Sequence, residues 1–272
     1  MWGPFLVRHP DAGRWARETL AAFHRLVGTR AAGVRLVRGV EVAREAAVPH
    51  PWLFFTGDLE VCDEGSWPGY RSAWRYTTVA VDMPVYLGHL MAELRAAGVT
   101  VEQRAIGSLR ELSGRAPVVV NCSGSGARRL AGDPEVVPVR GVVVVVGNPG
   151  IDTFFAEEGM GPDLTYFIPH SDTVVLGSTV ETPGVAAVPE ALAVERIRAR
   201  CAVIEPLLRD APVLGVRAGY RPVREEIRLE AASLDGQLMV HNYGHGGGGV
   251  SVSWCCARDV ASMVEACLTR IY

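Results

Sequence analysis

A chain of 272 residues, 49% hydrophobic and 21% charged, is long enough to bury a large core and lies near the length at which chains divide into two domains. Its formal charge of -3 argues against a nucleic-acid surface, and the absence of lysine excludes an internal Schiff base and with it ordinary pyridoxal-phosphate chemistry. The opening residues do not have the form of a secretory leader, no apolar run nears the roughly 20 residues that span a bilayer, and the six cysteines and seven histidines fall in neither CxxC nor HExxH spacing, so a cytoplasmic chain with reduced thiols, no membrane contact and no metal is expected.

In chain order, Asp11 caps a predicted helix whose Trp15, Leu20, Phe23 and Val27 share a face and which Gly28 ends. "YTTVAVD" (76–82) reads as a strand. Asp82 then caps a helix with Pro84 in its first turn, Leu87, Leu90, Met91 and Leu94 turned inward, and Gly98 at its end. "VTVEQRAI" (99–106) and "APVVVNC" (116–122) follow as strands, an order that suggests part of a mostly parallel sheet. From Gly141 the texture changes to strands without helices between them: "GVVVVVG", "LTYFIP" and "DTVVLGS". A helix from Pro189 to about Arg209 precedes "VLGVRAGYRPVREEIRLE". That run predicts an antiparallel sheet interleaved with the parallel one, α+β added to α/β. The last strand, "QLMVHNY", meets Gly246, Gly247, Gly248 and Gly249 and then a closing helix to Tyr272.

Four glycines between a strand and a helix have two readings. The unpaired N–H groups and dipole of the helix tip would receive an anion or an electron-rich ring atom, or the glycines form a tight turn packed on their own core. Period-2 geometry sends Arg224 and Arg228 to one face of their strand and Arg221 to the other. Arg221 is therefore a candidate clamp for a substrate carboxylate, while Glu225, Glu226 or Glu230 are expected to neutralise the other two. Tyr166 is either a core aromatic or a hydroxyl directed at the same ligand. "VVVNCSGSGARR" (118–129) lacks the third glycine of a dinucleotide fingerprint, and His241 and His245 have no triad-like context.

Together "VVVNCSG", "VPVRGVVVVV", "TYFIPHSDTVVLGST", "GYRPVREEIRLE" and "VHNYGHGGGGVSVSWCCARDVA" resemble, in order and over nearly the whole chain, the FAD-dependent D-amino-acid oxidases and their D-aspartate oxidase relatives. The resemblance implies an FAD-binding domain from 1–47, 84–138 and 228–272 and a substrate domain from 48–83 and 139–227. It implies that Arg221 binds the α-carboxylate, that Tyr166 adds a hydroxyl to it, and that the Gly247 carbonyl accepts from the substrate amine. Gly246 to Gly249, Val250 and Ser251 would lie against the flavin, with Trp2 and Gly3 on the flavin side and Ile106, Cys122, Ser123 and Gly124 along the adenine and ribose. The implied reaction is hydride transfer from the substrate Cα to flavin N5, with oxygen as the second substrate and imino acid, keto acid, ammonia and hydrogen peroxide as products. A homodimer is an assembly open to such an oxidase, as is activity toward D-aspartate or glycine.

The sequence departs from the family at three places. "MWGPF" enters the pattern after the strand, GxGxxG and helix that hold the FAD pyrophosphate, Gly3 stands where the family usually has glutamine, and Pro162 where a second tyrosine is common. A shortened oxidase, a divergent relative that no longer binds FAD, and a site completed by another polypeptide are the three expectations this leaves.

Overall fold

Strand β1 (Val34–Ala43) and strand β3 (Ser72–Val81) pair antiparallel along their full lengths, from Val34 opposite Val81 to Ala43 opposite Ser72. The computed structural model describes residues 1–159, 163–184 and 188–269, and Pro162 lies outside them. The chain forms two compact units, one of Met1, Leu26–Met83 and Val139–Tyr220, the other of Trp2–Arg25, Pro84–Pro138 and Arg221–Tyr272. The β1–β3 ladder binds residues 34–43 to the first unit.

In that unit the short β2 (Glu60–Val61) pairs with β3, and β6 (Phe154–Glu157) runs parallel to β1. Strands β7 (Asp163–Pro169), β8 (Thr173–Thr179) and β5 (Val137–Gly147) then add antiparallel, giving the order β2-β3-β1-β6-β7-β8-β5. The valine run of β5 alternates its faces, so Val142, Val144 and Val146 are fully buried and pack with Val174, Leu176, Phe155 and Phe167. Ile197 and Cys201 of helix α4 (Glu190–Ile204) close over this core. That helix stops before the predicted Arg209 because Pro206 opens a separate 3-10 turn, Pro206–Leu208.

The second unit is built on β9 (Val213–Leu234), whose part from Arg221 onward pairs antiparallel with β10 (Gln237–His245), and on β4 (Val118–Asn121), parallel to β10. Its helices are α1 (Ala12–Leu26), α2 (Met83–Ala96), the short α3 (Ala127–Leu130) and α5 (Gly249–Leu268). Asp259 of α5 joins α1 through a fork from Arg14, at 3.2 and 2.6 Å, and a bond from the Trp15 indole at 2.7 Å. The predicted strand over 99–106 forms no regular element; Val99 and Val101 are exposed, with no packed face to hold them extended. Among the described residues no helix is long and apolar enough to cross a membrane.

One buried carboxylate organises this unit. Asp133, 6% exposed, receives Arg224 Nε at 3.1 Å and the Tyr243 hydroxyl at 2.9 Å, and Arg228 Nη1 donates to that hydroxyl at 2.7 Å. Burial acts to raise the Asp133 pKa, but these bonds and the Arg224 charge hold it below its ordinary value of 3.8. A carboxyl depressed in the folded state stabilises the fold above its unfolded pKa, and the contribution disappears as pH falls through the folded value. Asp133→Asn should therefore cost about 3 kcal/mol at pH 7, read from urea unfolding, with the gap to wild type narrowing below the ordinary value of 3.8. A gap that does not change with pH would refute this role.

Candidate active site

The two arginines held on one face of β9 determine where the third points. Arg224 pairs with Glu135 at 2.6 Å as well as with Asp133, and Arg228 pairs with Glu230 at 2.7 Å. The expected neutralisation by nearby glutamates thus holds for Arg228, whereas Arg224 takes its acids from another segment. Arg221 lies on the opposite parity, and its side chain runs beside the glycine turn: a Cβ built on Gly247 would stand 3.7 Å from Arg221 Cδ. Gly246 takes a φ of +54°, a value that favours glycine, and its N–H donates to the Pro222 carbonyl at 2.9 Å. This back-bond folds the turn onto β9 next to Arg221.

The four glycines do not all serve one purpose. A Cβ on Gly248 would overlap Val7 Cγ2 and come within 3.0 Å of the Phe5 carbonyl oxygen, and one on Gly249 would come within 3.1 Å of His245 Cβ. At these positions the chain itself excludes a side chain. At Gly246 and Gly247 the nearest atom to such a Cβ is 3.7 Å or more away. The expectation that a ring system is what the glycines admit therefore narrows to these two, together with the helix tip beyond them. Val250 and Ser251 occupy the first turn of the 20-residue helix α5, where backbone N–H groups have no partner four residues earlier and the dipole is positive.

Trp2 and Gly3 arrive at this same turn. The fully buried Trp2 donates its indole N–H to the Ser251 carbonyl at 3.1 Å; Gly3 N–H donates to Ser251 Oγ at 3.0 Å, and that hydroxyl donates to the Gly3 carbonyl at 3.0 Å. His245, just before the turn, has its pKa pushed down to about 4 by burial, and burial and Arg228 lower His241. Both imidazoles are uncharged at neutral pH.

At the end of β4, Asn121 accepts from Ser123 N–H at 3.2 Å and faces His241 Nδ1 at 3.2 Å. Gly124 has a φ of +54°, Cys122 is exposed, and the Ser123 hydroxyl is shielded from solvent without a hydrogen-bond partner among the described residues. The Ile106 carbonyl accepts from Arg129 Nη2 at 3.1 Å, which ties that segment to α3, the helix following Gly124. The second unit thus gathers Arg221, Gly247, Trp2, Gly3 and Ser251 at one helix tip and connects Ile106 to the turn that carries Cys122, Ser123 and Gly124.

Tyr166 belongs to the first unit. It is half-buried on β7, paired with Ala156 on β6 and Gly177 on β8, and its ring lies where a Cβ on Gly177 would be. The sequence also concealed a cluster in this unit: Glu41, His50 and Glu158 place one potential ligand atom each within 4.8 Å of one another. Residues so far apart give no spacing signal.

A family model described as DAO, FAD dependent oxidoreductase, matches residues 4–263. The chain is 43% identical to the D-amino-acid oxidase of Rubrobacter xylanophilus, over 99% of this chain and 84% of that protein. The chain belongs to the DAO family of FAD-dependent oxidoreductases. Within the family it is also 38% identical to a D-amino-acid oxidase of Streptomyces coelicolor, over 97% and 83% of the two chains, and 34% identical to human D-aspartate oxidase, over 94% and 77%. Glycine oxidase from Geobacillus kaustophilus shares the fold, with a TM-score of 0.74 at 18% identity over 97% of this chain and 82% of that one.

FAD is the DAO cofactor, and the residues present fit it. The open backbone at Gly246 and Gly247, the donor-rich tip of α5 and the partnerless Ser123 hydroxyl each offer what a ring edge or a ribose requires. Gly247→Ala should fold with near-wild-type stability but lose flavin or substrate affinity. Gly248→Ala should cost about 1–3 kcal/mol through overpacking on Pro4–Val7, read as a lowered melting temperature. Equal stability of the two variants would contradict this division.

Proposed function

We propose that the chain is a D-amino-acid oxidase: it oxidises a D-amino acid to the imino acid, which water hydrolyses to a keto acid and ammonia, while oxygen is reduced to hydrogen peroxide. The approach of Arg221 to the open Gly247 turn carries this reading: Arg221 Cδ and Nε stand 3.7 and 4.0 Å from where a Cβ on Gly247 would be, bringing a guanidinium to exposed backbone. Relatives named D-amino-acid oxidase at 43% and 38% identity support it. The second unit is the cofactor-holding part and the first the part that shapes the substrate side.

FAD, when bound, supplies the chemistry by accepting the substrate hydride. The protein's own groups bind and orient. Arg221 anchors the α-carboxylate through two parallel hydrogen bonds, Tyr166 donates its hydroxyl to the same group, and the Gly247 carbonyl accepts from the amine. Anchoring an acid and an amine at two points fixes which face of Cα is presented, which is how a D-centre is told from an L-centre. The uncharged His245 keeps positive charge from competing with Arg221 beside the glycine turn. The tip of α5 favours negative charge that develops opposite it during the reaction. The six free cysteines are in keeping with the cytoplasm as its compartment.

The test is flavin absorbance of the purified full-length chain, followed by peroxide release on a panel of D- and L-amino acids. Peroxide with D-acids alone is expected. A chain that takes up no flavin and releases no peroxide, or that prefers L-acids, would overturn the reading. Arg221→Ala should retain flavin and lose about 100-fold in kcat/KM, the size of a severed charge-assisted pair of hydrogen bonds.

A further inference from the structure

The first unit carries a row of residues that share one face of its sheet. Directly paired positions on neighbouring strands project to the same side, and here Trp74 on β3, Glu41 on β1, Ala156 on β6, Tyr166 on β7 and Gly177 on β8 are paired in succession. Glu158 follows Ala156 by two residues and lies on its parity; its backbone N–H bonds the Val42 carbonyl at 2.8 Å. The Tyr166 ring leans over Gly177, away from Ala156. Between Tyr166 and Glu41 the row is thus floored by a methyl group.

Glu41 is fully buried. The Tyr76 hydroxyl donates to its Oε2 at 2.7 Å, while its Oε1 is shielded from solvent and has no partner among the described residues. The charged group that acts on Glu41 is Glu158, of the same sign; with burial as the larger cause, it pushes the Glu41 pKa up to about 7. Glu158 itself holds His50 Nε2 at 3.0 Å through Oε1, and its Oε2 is likewise shielded and without a partner. Two buried acceptor oxygens, Glu41 Oε1 and Glu158 Oε2, thus lack a hydrogen-bond partner among the described residues, in a cluster where Glu41, His50 and Glu158 each place a ligand atom within 4.8 Å of the others, at a cost that a donor-rich cation would remove. A cavity of about 360 Å³ reaches Glu158 and is lined by the further acids Glu45, Glu157 and Asp163 against one cation, Arg44. Arg44 is engaged by Glu157 at 2.5 Å.

We infer that Glu41, Glu158 and His50 form a subsite for a cationic substrate side chain, so that the D-amino acids taken by this protein end in an ammonium or guanidinium group. The inference rests on the oxidase reading above, in which Tyr166 marks the substrate carboxylate. The reach agrees: the Tyr166 ring stands over Gly177, three strands from Glu41, about 14 Å at the usual strand spacing, and the length of the Glu41 side chain shortens this. The carboxyl carbon and terminal nitrogen of lysine are separated by roughly 7 Å when extended, at about 1.5 Å per bond. A hydrogen bond at each end spans the difference. The ammonium brings three donors and the guanidinium five, enough to satisfy both orphaned oxygens at once.

The experiment uses the flavin-loaded full chain with D-lysine and D-arginine against D-norleucine, which has the length of lysine without its charge. D-lysine should exceed D-norleucine in kcat/KM by about 10-fold or more, the worth of one buried charged hydrogen bond. Glu41→Gln and Glu158→Gln should each remove most of that advantage and leave D-norleucine turnover within a factor of about 2. D-lysine should also raise the melting temperature of the wild type more than D-norleucine does, a readout independent of turnover. If Glu41→Gln does not fold, Glu158→Gln carries the test, since its side chain is partly exposed. Wild-type preference for D-norleucine overturns this inference and leaves the oxidase reading standing. A flavin-loaded chain that turns over no D-amino acid overturns both. Stabilisation by Zn²⁺ alone, lost in both variants and without a D-lysine preference, assigns the cluster to a metal and overturns it as well.

Discussion

The end of β9 that carries Arg221 is tied down by one buried carboxylate, Asp133. Asp133 holds Arg224 directly and Arg228 through the Tyr243 hydroxyl, and both arginines come from the same face of β9. A strand whose alternate side chains are fixed in this way has no freedom to slip by one residue, since a slip would exchange its two faces. Arg221 lies beside the glycine turn, where its two neighbours, held by acids, do not compete with it. The desolvation of Asp133 is offset by Arg224 Nε, the Tyr243 hydroxyl and the Glu135 N–H.

Conformation and function are divided within the glycine turn. Gly248 and Gly249 are small because the Pro4–Val7 segment and His245 lie against them, whereas Gly246 and Gly247 leave their backbone open beside Arg221. Of the two readings available for the block, packing accounts for Gly248 and Gly249, and the backbone left open at Gly246 and Gly247 leaves room for the other. Ser251 links them: its hydroxyl and carbonyl hold Gly3 and Trp2, so the segment that packs on Gly248 is positioned by the helix that Gly248 introduces.

Much of this was legible in the sequence where a local rule applies. The helix from Ala12 to Leu26 followed from its apolar spacing and Gly28, and the valine strand from its composition. What was not legible depends on partners distant in the chain. Nothing near Arg224 announces Asp133, and Glu41, His50 and Glu158 are joined by the β1–β6 pairing and by a loop. The strand predicted over 99–106 failed for the complementary reason: its valines have β propensity but no sheet face to cover, and propensity without burial does not hold a strand. Family resemblance supplied the roles of Tyr166 and Gly247, which pattern alone would have left as a core aromatic and a turn.

The bond from Trp2 to Ser251 crosses 249 positions of sequence. The 249 positions between the indole and its acceptor must all be synthesised before this corner can close. Contacts of such separation are slow to form and must first overcome the entropy of a very large loop. Until then a bulky aromatic group destined for the interior stays in water, available to chaperones or to other nascent chains. Maturation of this helix tip is thereby coupled to folding of the long segment between the two residues.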